Sequence, residues 1–184
     1  MIYGTNIRLR AIERDDLPRF VAWFNDPEVR EGLELGLPMS IADEEQWYER
    51  MLQNDRAAHP LAIDVRDGER WQHVGSCGFM NIKKVAHNAE LGIVIGDKAY
   101  WDKGYGTEVM HTLLRHGFGT LNLHRIYLRV FDNNPRAIKV YLRAGFTEEG
   151  RLREDRYHDG RYNDTIVMGI LHAEWAATQQ EIGE

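Results

Sequence analysis

ELGIVIGDKAYWDKGYGTE, residues 90–108, is the stretch that decides how this chain is read. Leu91 to Ile95 is a short apolar, β-branched run, which predicts a buried strand. A loop follows, and then a turn, Lys103-Gly104-Tyr105-Gly106-Thr107, that opens a helix. A helix N-terminus presents unpaired N–H groups and the positive end of a dipole, so it suits an anion such as a phosphate. Glycines in that turn let a ligand approach the backbone with no Cβ in the way. The alternative is a helix start with two turn glycines and no ligand. The stretch alone leaves both readings open.

Working outward, the segment before it reads as strands. Pro60–Arg66 and Trp71–Met80 flank Asp67-Gly68, a hairpin signal. Gly75 and Gly78 predict a bulge or a close backbone approach in the second strand. Residues 81–88 read as a polar loop. Earlier still, Ile7–Arg10 alternates apolar and polar as a strand does. Asp15 or Asp16 then caps a helix running to Phe24, and a helical turn follows through Arg30. Ser40 and Asp43 have the spacing of a capping box, which opens a helix over Ile41–Gln53 with Trp47, Met51 and Leu52 facing inward.

After the opening stretch, Thr107–Phe118 is a helix and Arg125–Val130 a strand. Asn134-Pro135 starts a helix that ends at Gly145. Phe146–Leu152 and Tyr162–Leu171 are strands around Asp159-Gly160, and Ala173–Glu184 reads as a helical turn with a loose tail. Hairpins early and late, with a βαβ step across Thr107–Phe118, predict a mixed α/β sheet, largely antiparallel with one parallel pair. Ligands favour the point where the strand order switches, near residues 90–108. With 184 residues and no linker, a single domain over 1–184 is expected.

Composition narrows the function classes. One cysteine, Cys77, excludes an internal disulfide and a multi-cysteine zinc site, and no metal is expected. The N-terminus lacks a signal-peptide core and no apolar run reaches membrane length, so a cytoplasmic protein without a membrane partner is expected. A net charge of −6 argues against nucleic acid as partner. The charge is local: Glu28 to Asp55 holds eight acids against Arg30 and Arg50, a net of −6, and the remainder is neutral. Such a field attracts a cationic substrate. A solvated helix face with acids near its N-terminus explains the same residues.

Four motifs together resemble the Gcn5-related N-acetyltransferase (GNAT) superfamily, in its branch of ribosomal-protein N-terminal and spermidine acetyltransferases. They are AELGIVI (89–95) followed by WDKGYGT (101–107), NPRAIKVY (134–141) ending in LRAGF, NDPEVR (25–30), and DGRYNDTIVMGIL (159–171). Trp101 departs from the family, which usually has Gln or Arg there.

The resemblance implies the GNAT fold and acetyl-CoA as cosubstrate, with direct acetyl transfer to a primary amine of a small molecule or a peptide N-terminus. It implies that the backbone of Ile93, Val94 and Ile95 pairs with the pantetheine amides, and that Lys103, Gly104, Tyr105, Gly106 and Thr107 hold the pyrophosphate. Asn134 would bond the pantetheine arm, and Lys139 and Arg143 would reach phosphates or else form a solvated helix face. Tyr141 would protonate the departing thiolate. Its phenol, with an ordinary pKa of about 10, holds its proton at neutral pH; the alternative is a ring packed under the sheet.

Glu90 would serve as base, directly or through water, or else pair with Lys83 or Lys84. His111, His124, Glu31 and Glu34 compete for that role. Glu31, Glu34, Tyr157 and Tyr162 are the substrate-side candidates. A covalent intermediate on Cys77 finds no neighbouring His or Asp in sequence to support it. A homodimer or higher homo-oligomer is compatible with the resemblance. Two other classes stay in view: a non-catalytic acyl-CoA-binding sensor module and a structural partner with no cofactor site.

Overall fold

A computed structural model describes residues 1–182, with side chains to Gln179. The chain divides into two compact units, Met1–Met80 with Gly92–Val109, and Asn81–Leu91 with Met110 onward.

In the first unit, strands β1 (Ile2–Tyr3), β2 (Ile7–Ala11), β3 (Leu61–Asp67) and β4 (Arg70–Lys83, in this unit to Met80) lie in that order, and the C-terminal half of β5 (Asn88–Ile95) follows β4. The β3–β4 hairpin forms as the sequence predicts, with Asp67 pairing Arg70 and Gly68 at φ +61°. Helices α1 (Leu17–Phe24), α2 (Pro27–Arg30) and α3 (Ile41–Leu52) complete this part of the chain. Asp16 precedes α1 but gives it no side-chain cap. Ser40 and Asp43 do form the capping box of α3. Ile12, Leu17, Phe20, Tyr48, Met51 and Ala62 make one buried cluster, with Trp23, Phe24 and Trp47 packed against it.

The inward face of α3 differs from the expected one. Glu44, Tyr48 and Met51 are buried, Trp47 is half-buried, and Leu52 is 46% exposed. Leu52 ends the helix, where the apolar stripe has rotated past the core.

In the second unit, the N-terminal half of β5 pairs in parallel with β6 (Arg125–Phe131), β6 pairs antiparallel with β8 (Arg161–Leu171), and β8 with β7 (Thr147–His158). Ile126, Leu128 and Val130 face Ile170, Met168 and Ile166 across the β6–β8 ladder, and all six are buried. Helices α4 (Tyr105–Gly119, from Met110 in this unit), α5 (Pro135–Arg143) and α6 (His172–Ile182) alternate with these strands. Gly145 takes φ +95° two residues after α5, and Asp159-Gly160 turn the last hairpin at φ +48° and +78°, the left-handed pair that a two-residue hairpin needs. The sheet is thus mixed, largely antiparallel with the one parallel pair β5–β6.

Several boundaries move, three of them by more than two residues. Residues 81–83 continue β4 where a loop is expected, so the turn shortens to 84–87. β7 runs six residues beyond Leu152, through mostly exposed polar residues that carry no apolar alternation. The C-terminal segment is a full helix to Ile182; Gly183 and Glu184 of the expected tail lie outside the described residues.

Candidate active site

β5 carries the residues expected to line the cofactor. Its burial changes along its length: Ala89 and Leu91 are buried, whereas Ile93, Val94 and Ile95 are each only half-buried. Three successive apolar residues left half-open at the end of a sheet strand are unusual for a core strand and suit a surface that a ligand covers. The parallel ladder to β6 covers Asn88↔Arg125, Ala89↔Ile126 and Glu90↔Tyr127.

The expected phosphate turn sits where the sequence places it, with one shift. α4 starts at Tyr105, two residues earlier than expected, so Gly106 and Thr107 lie in its first turn. The first main-chain bond of that turn is Glu108 N to Gly104 O at 3.1 Å, which puts the amides of Tyr105, Gly106 and Thr107 ahead of the helical ladder. Gly104 has φ +85°, and no heavy atom lies within 4 Å of where its Cβ would be. Lys103 and Gly104 are exposed. The Lys103 ammonium sits over the Tyr100 ring at 5.4 Å. Trp101, the departure from the family pattern, donates its indole N–H to the Ile95 carbonyl at 2.7 Å. It thereby ties the turn to the end of β5 within one unit.

Asn134 is the N-cap of α5, its Oδ1 accepting from Ala137 N at 3.1 Å. Tyr141, on the same helix, is 7% exposed with its ring 6.2 Å from that of Phe146. Burial pushes its phenol up to about 12. Lys139 and Arg143 are exposed on α5, one turn apart. Tyr157 and Tyr162 face each other across the β7–β8 hairpin, rings 5.0 Å apart and both exposed. Glu31 and Glu34 are exposed beyond α2. His111 and His124 are exposed. Cys77 is buried, and burial pushes its thiol well above the usual range, which removes the thiolate that a covalent step needs.

Glu90 has partners that its sequence neighbours do not announce. Asn81 Nδ2 donates to its Oε2 at 2.8 Å, and Arg129 Nε lies 3.5 Å from its Oε1. Its cross-strand neighbour is Tyr127, whose phenol is raised by burial and by the Glu90 carboxylate. Asn81, Tyr127 and Arg129 therefore belong to the candidate site and were not legible: each comes from a different strand position that only the sheet register brings beside Glu90. No group of three or more His, Cys, Asp or Glu among the described residues is placed to hold a metal ion.

Residues 6–147 match the model of the acetyltransferase (GNAT) domain. The chain belongs to the GNAT acetyltransferase family. It is an acetyltransferase with acetyl-CoA as cosubstrate, and the sensor and structural-partner classes recede accordingly. It is 31% identical over 173 residues to spermidine N(1)-acetyltransferase of Vibrio cholerae, an alignment covering 94% of this chain and 96% of the relative. It is 26% identical over 174 residues to a putative ribosomal N-acetyltransferase of Bacillus subtilis, covering 92% and 93%. Its fold is similar to the crystal structure of the Vibrio cholerae spermidine N-acetyltransferase in complex with CoA and spermine. The TM-score is 0.84 and the identity 29%, over 93% of this chain and 98% of that one. No helix among the described residues is long and apolar enough to cross a membrane.

Proposed function

We propose that this GNAT enzyme acetylates a primary amine of a polyamine such as spermidine or spermine, acting in the cytoplasm as one N-acetyltransferase domain over residues 1–184. The observation that carries the acceptor class is the acidic segment from Glu28 to Asp55, formally net −6 with Glu44 buried and the other acids nearer the surface, in a chain similar over nearly its full length to an enzyme solved with spermine. A flexible polycation is drawn by such a field and held by carboxylates. Glu31 and Glu34 are the acids assigned to it, and Tyr157 and Tyr162 supply aromatic faces for its ammonium groups. Similarity to a putative ribosomal N-acetyltransferase supports a peptide N-terminus as the second reading.

The residues present fit acetyl-CoA. The half-open edge at Ile93–Ile95 suits an extended pantetheine pairing as an added strand would. The turn Lys103 to Thr107 suits a pyrophosphate, because the amides of Tyr105, Gly106 and Thr107 precede the helical ladder and Gly104 leaves room beside them. Lys139 and Arg143 are assigned to the remaining phosphate charge. When bound, acetyl-CoA supplies the activated acetyl group on its thioester sulfur.

Glu90 is assigned to take a proton from the acceptor ammonium, directly or through water, because only a neutral amine is nucleophilic. An amide of β5 beside Val94 is assigned to the developing negative charge on the acetyl oxygen. Tyr141 is assigned to the leaving sulfur. Its raised pKa keeps it protonated across the neutral range, so it acts as a donor to the sulfur. We further propose a homodimer or a higher homo-oligomer, which size-exclusion chromatography with light scattering tests.

The deciding experiment is a thiol-release assay with acetyl-CoA and a panel of spermidine, spermine, short Ala- and Ser-starting peptides and aminoglycosides. Release with spermidine or spermine at least tenfold faster than with the peptides is expected. Release with peptides alone transfers the enzyme to the second reading.

A further inference from the structure

Asn81 has φ +52° although it lies inside β4, which continues to Lys83. A left-handed residue is uncommon within a strand, and asparagine is among the non-glycine residues that tolerate it best. Such conformations persist where the surroundings hold them, and they gather at functional sites. Residues 84–87 turn the chain from Lys83 into β5 at Asn88, and Glu90 is the third residue of that strand. The Asn81 side chain meets it there: Nδ2 donates to Glu90 Oε2 at 2.8 Å.

The carboxylate is mostly withdrawn from water, the Glu90 side chain being 12% exposed. A glutamate turns about three side-chain torsions, so its carboxylate keeps one orientation only where a donor holds it. Arg129 is the looser partner. Its Nε stands at 3.5 Å, long for a hydrogen bond, and its side chain is 57% exposed. Tyr127 lies opposite Glu90 in the β5–β6 register. A neutral amide also suits a base better than a guanidinium in contact, because a close cation favours the ionised carboxylate and resists its protonation. Each carboxylate oxygen carries two lone pairs, so the bond to Oε2 leaves Glu90 able to accept a proton.

We propose that Asn81 is a positioning residue for Glu90: the left-handed backbone at 81 delivers its amide to Oε2 and holds the carboxylate in one orientation for proton removal from the acceptor amine. Asn81 itself touches neither the amine nor the cofactor in this role. Its loss misplaces the base without removing it, so the consequence falls on kcat and not on acetyl-CoA binding.

The proposal rests on the assignment of Glu90 as base, and its test separates the two. Asn81→Gly and Asn81→Ala lose the same donor but differ in backbone: glycine accepts φ +52° freely and alanine does not. Thiol release is measured at saturating acetyl-CoA with spermidine, or with the acceptor of the panel above that the native enzyme uses fastest. Urea unfolding gives the stability of each variant. Both variants are expected to lose about tenfold in kcat, with the acetyl-CoA KM within about twofold of native. Asn81→Ala is expected to be less stable than native and Asn81→Gly close to it. Glu90→Gln is expected to lose about 10²-fold or more. Adding Asn81→Gly to Glu90→Gln should then change the rate by less than about twofold, since no base remains to be oriented. Native kcat in Asn81→Gly, with only Asn81→Ala slow, overturns the proposal and leaves Asn81 a turn residue. A further loss of about tenfold on top of Glu90→Gln also overturns it, because the amide then acts elsewhere. Full turnover by Glu90→Gln, or none by the native enzyme with any acceptor, instead removes the base assignment, and the proposal with it.

Discussion

The side-chain oxygen of Asn134 accepts a hydrogen bond from the amide of Ala137 at 3.1 Å, so this residue caps its own helix. Its amide NH2 group is the donor assigned to the pantetheine arm. The two roles separate by substitution. Asn134→Ala loses both, and removal of the cap costs about 1 kcal/mol of stability. Asn134→Asp keeps an oxygen acceptor for Ala137 and loses only the donor. The expected outcome is a urea midpoint close to native for Asn134→Asp and an acetyl-CoA KM raised about tenfold, on the order of 1 kcal/mol for one lost hydrogen bond. If Asn134→Asp binds acetyl-CoA as the native enzyme does, Asn134 is a cap and nothing more.

Tyr141 combines deep burial with a phenol at about 12. An acid that weak does not ionise below pH 10, so the contribution proposed for it is a donated hydrogen bond to a sulfur gaining charge more than a completed proton transfer. Tyr141→Phe keeps the ring against Phe146 and removes only the hydroxyl. We expect kcat to drop about 10²-fold, acetyl-CoA affinity to stay within twofold, and the melting temperature to hold. The pH–rate profile of the native enzyme should show no tyrosine limb below about pH 10. Full turnover by Tyr141→Phe would return this residue to ordinary packing under the sheet.

Much of this could be read before any coordinates, and the reason differs by element. Local signals survived: Ser40 with Asp43, Asn134-Pro135 with Gly145, and Asp159-Gly160 each fix a backbone conformation within a few residues. The four family motifs carried the cofactor because glycines and helix starts act through the backbone. What stayed hidden was long-range. Nothing near Glu90 announces Asn81 or Arg129, since the strand register alone puts them there. Nothing near His73 announces Asp16, 57 positions earlier in the chain, nor the bulge at Val74 beside it. β7 runs past its expected end because Thr147–His158 is mostly polar and exposed, so no apolar alternation marks its second half. On α3 the arc of apolar residues allowed two rotations, and packing chose the one that buries Glu44.

Gly75 gives a steric prediction. Its hydrogen occupies the space against the Val94 carbonyl, and the three heavy atoms nearest the added Cβ are all backbone, so Gly75→Ala cannot be absorbed by a side-chain rotation. Overpacking of this kind costs about 1–3 kcal/mol, or more where backbone must move. Gly36→Ala is the control, because no heavy atom lies within 4 Å of its Cβ position. Urea unfolding should show Gly75→Ala destabilised by at least about 2 kcal/mol with weakened acetyl-CoA binding, and Gly36→Ala near native. Equal stability of the two variants would contradict the close seating of β5 on β4.

Glu44 yields a prediction with a definite sign. It lies on the α3 face shared with Tyr48 and Met51, is 3% exposed, and burial pushes its carboxyl up to about 7 from an ordinary 4.5. The folded state therefore holds a proton between those two values that the unfolded chain has released. Stability is highest below about pH 4.5 as far as this group is concerned, falls as pH rises toward 7, and is flat above. A rise of that size corresponds to at most about 3 kcal/mol, and residual solvent contact reduces it to about 1–2 kcal/mol. Glu44→Gln keeps the shape and never ionises. It should be more stable than the native chain at pH 8, by about 1–2 kcal/mol, and nearly equal to it at pH 4.5. Urea unfolding at the two pH values checks this, and a stability difference that does not change with pH would show that the Glu44 carboxylate is solvated in the folded protein after all.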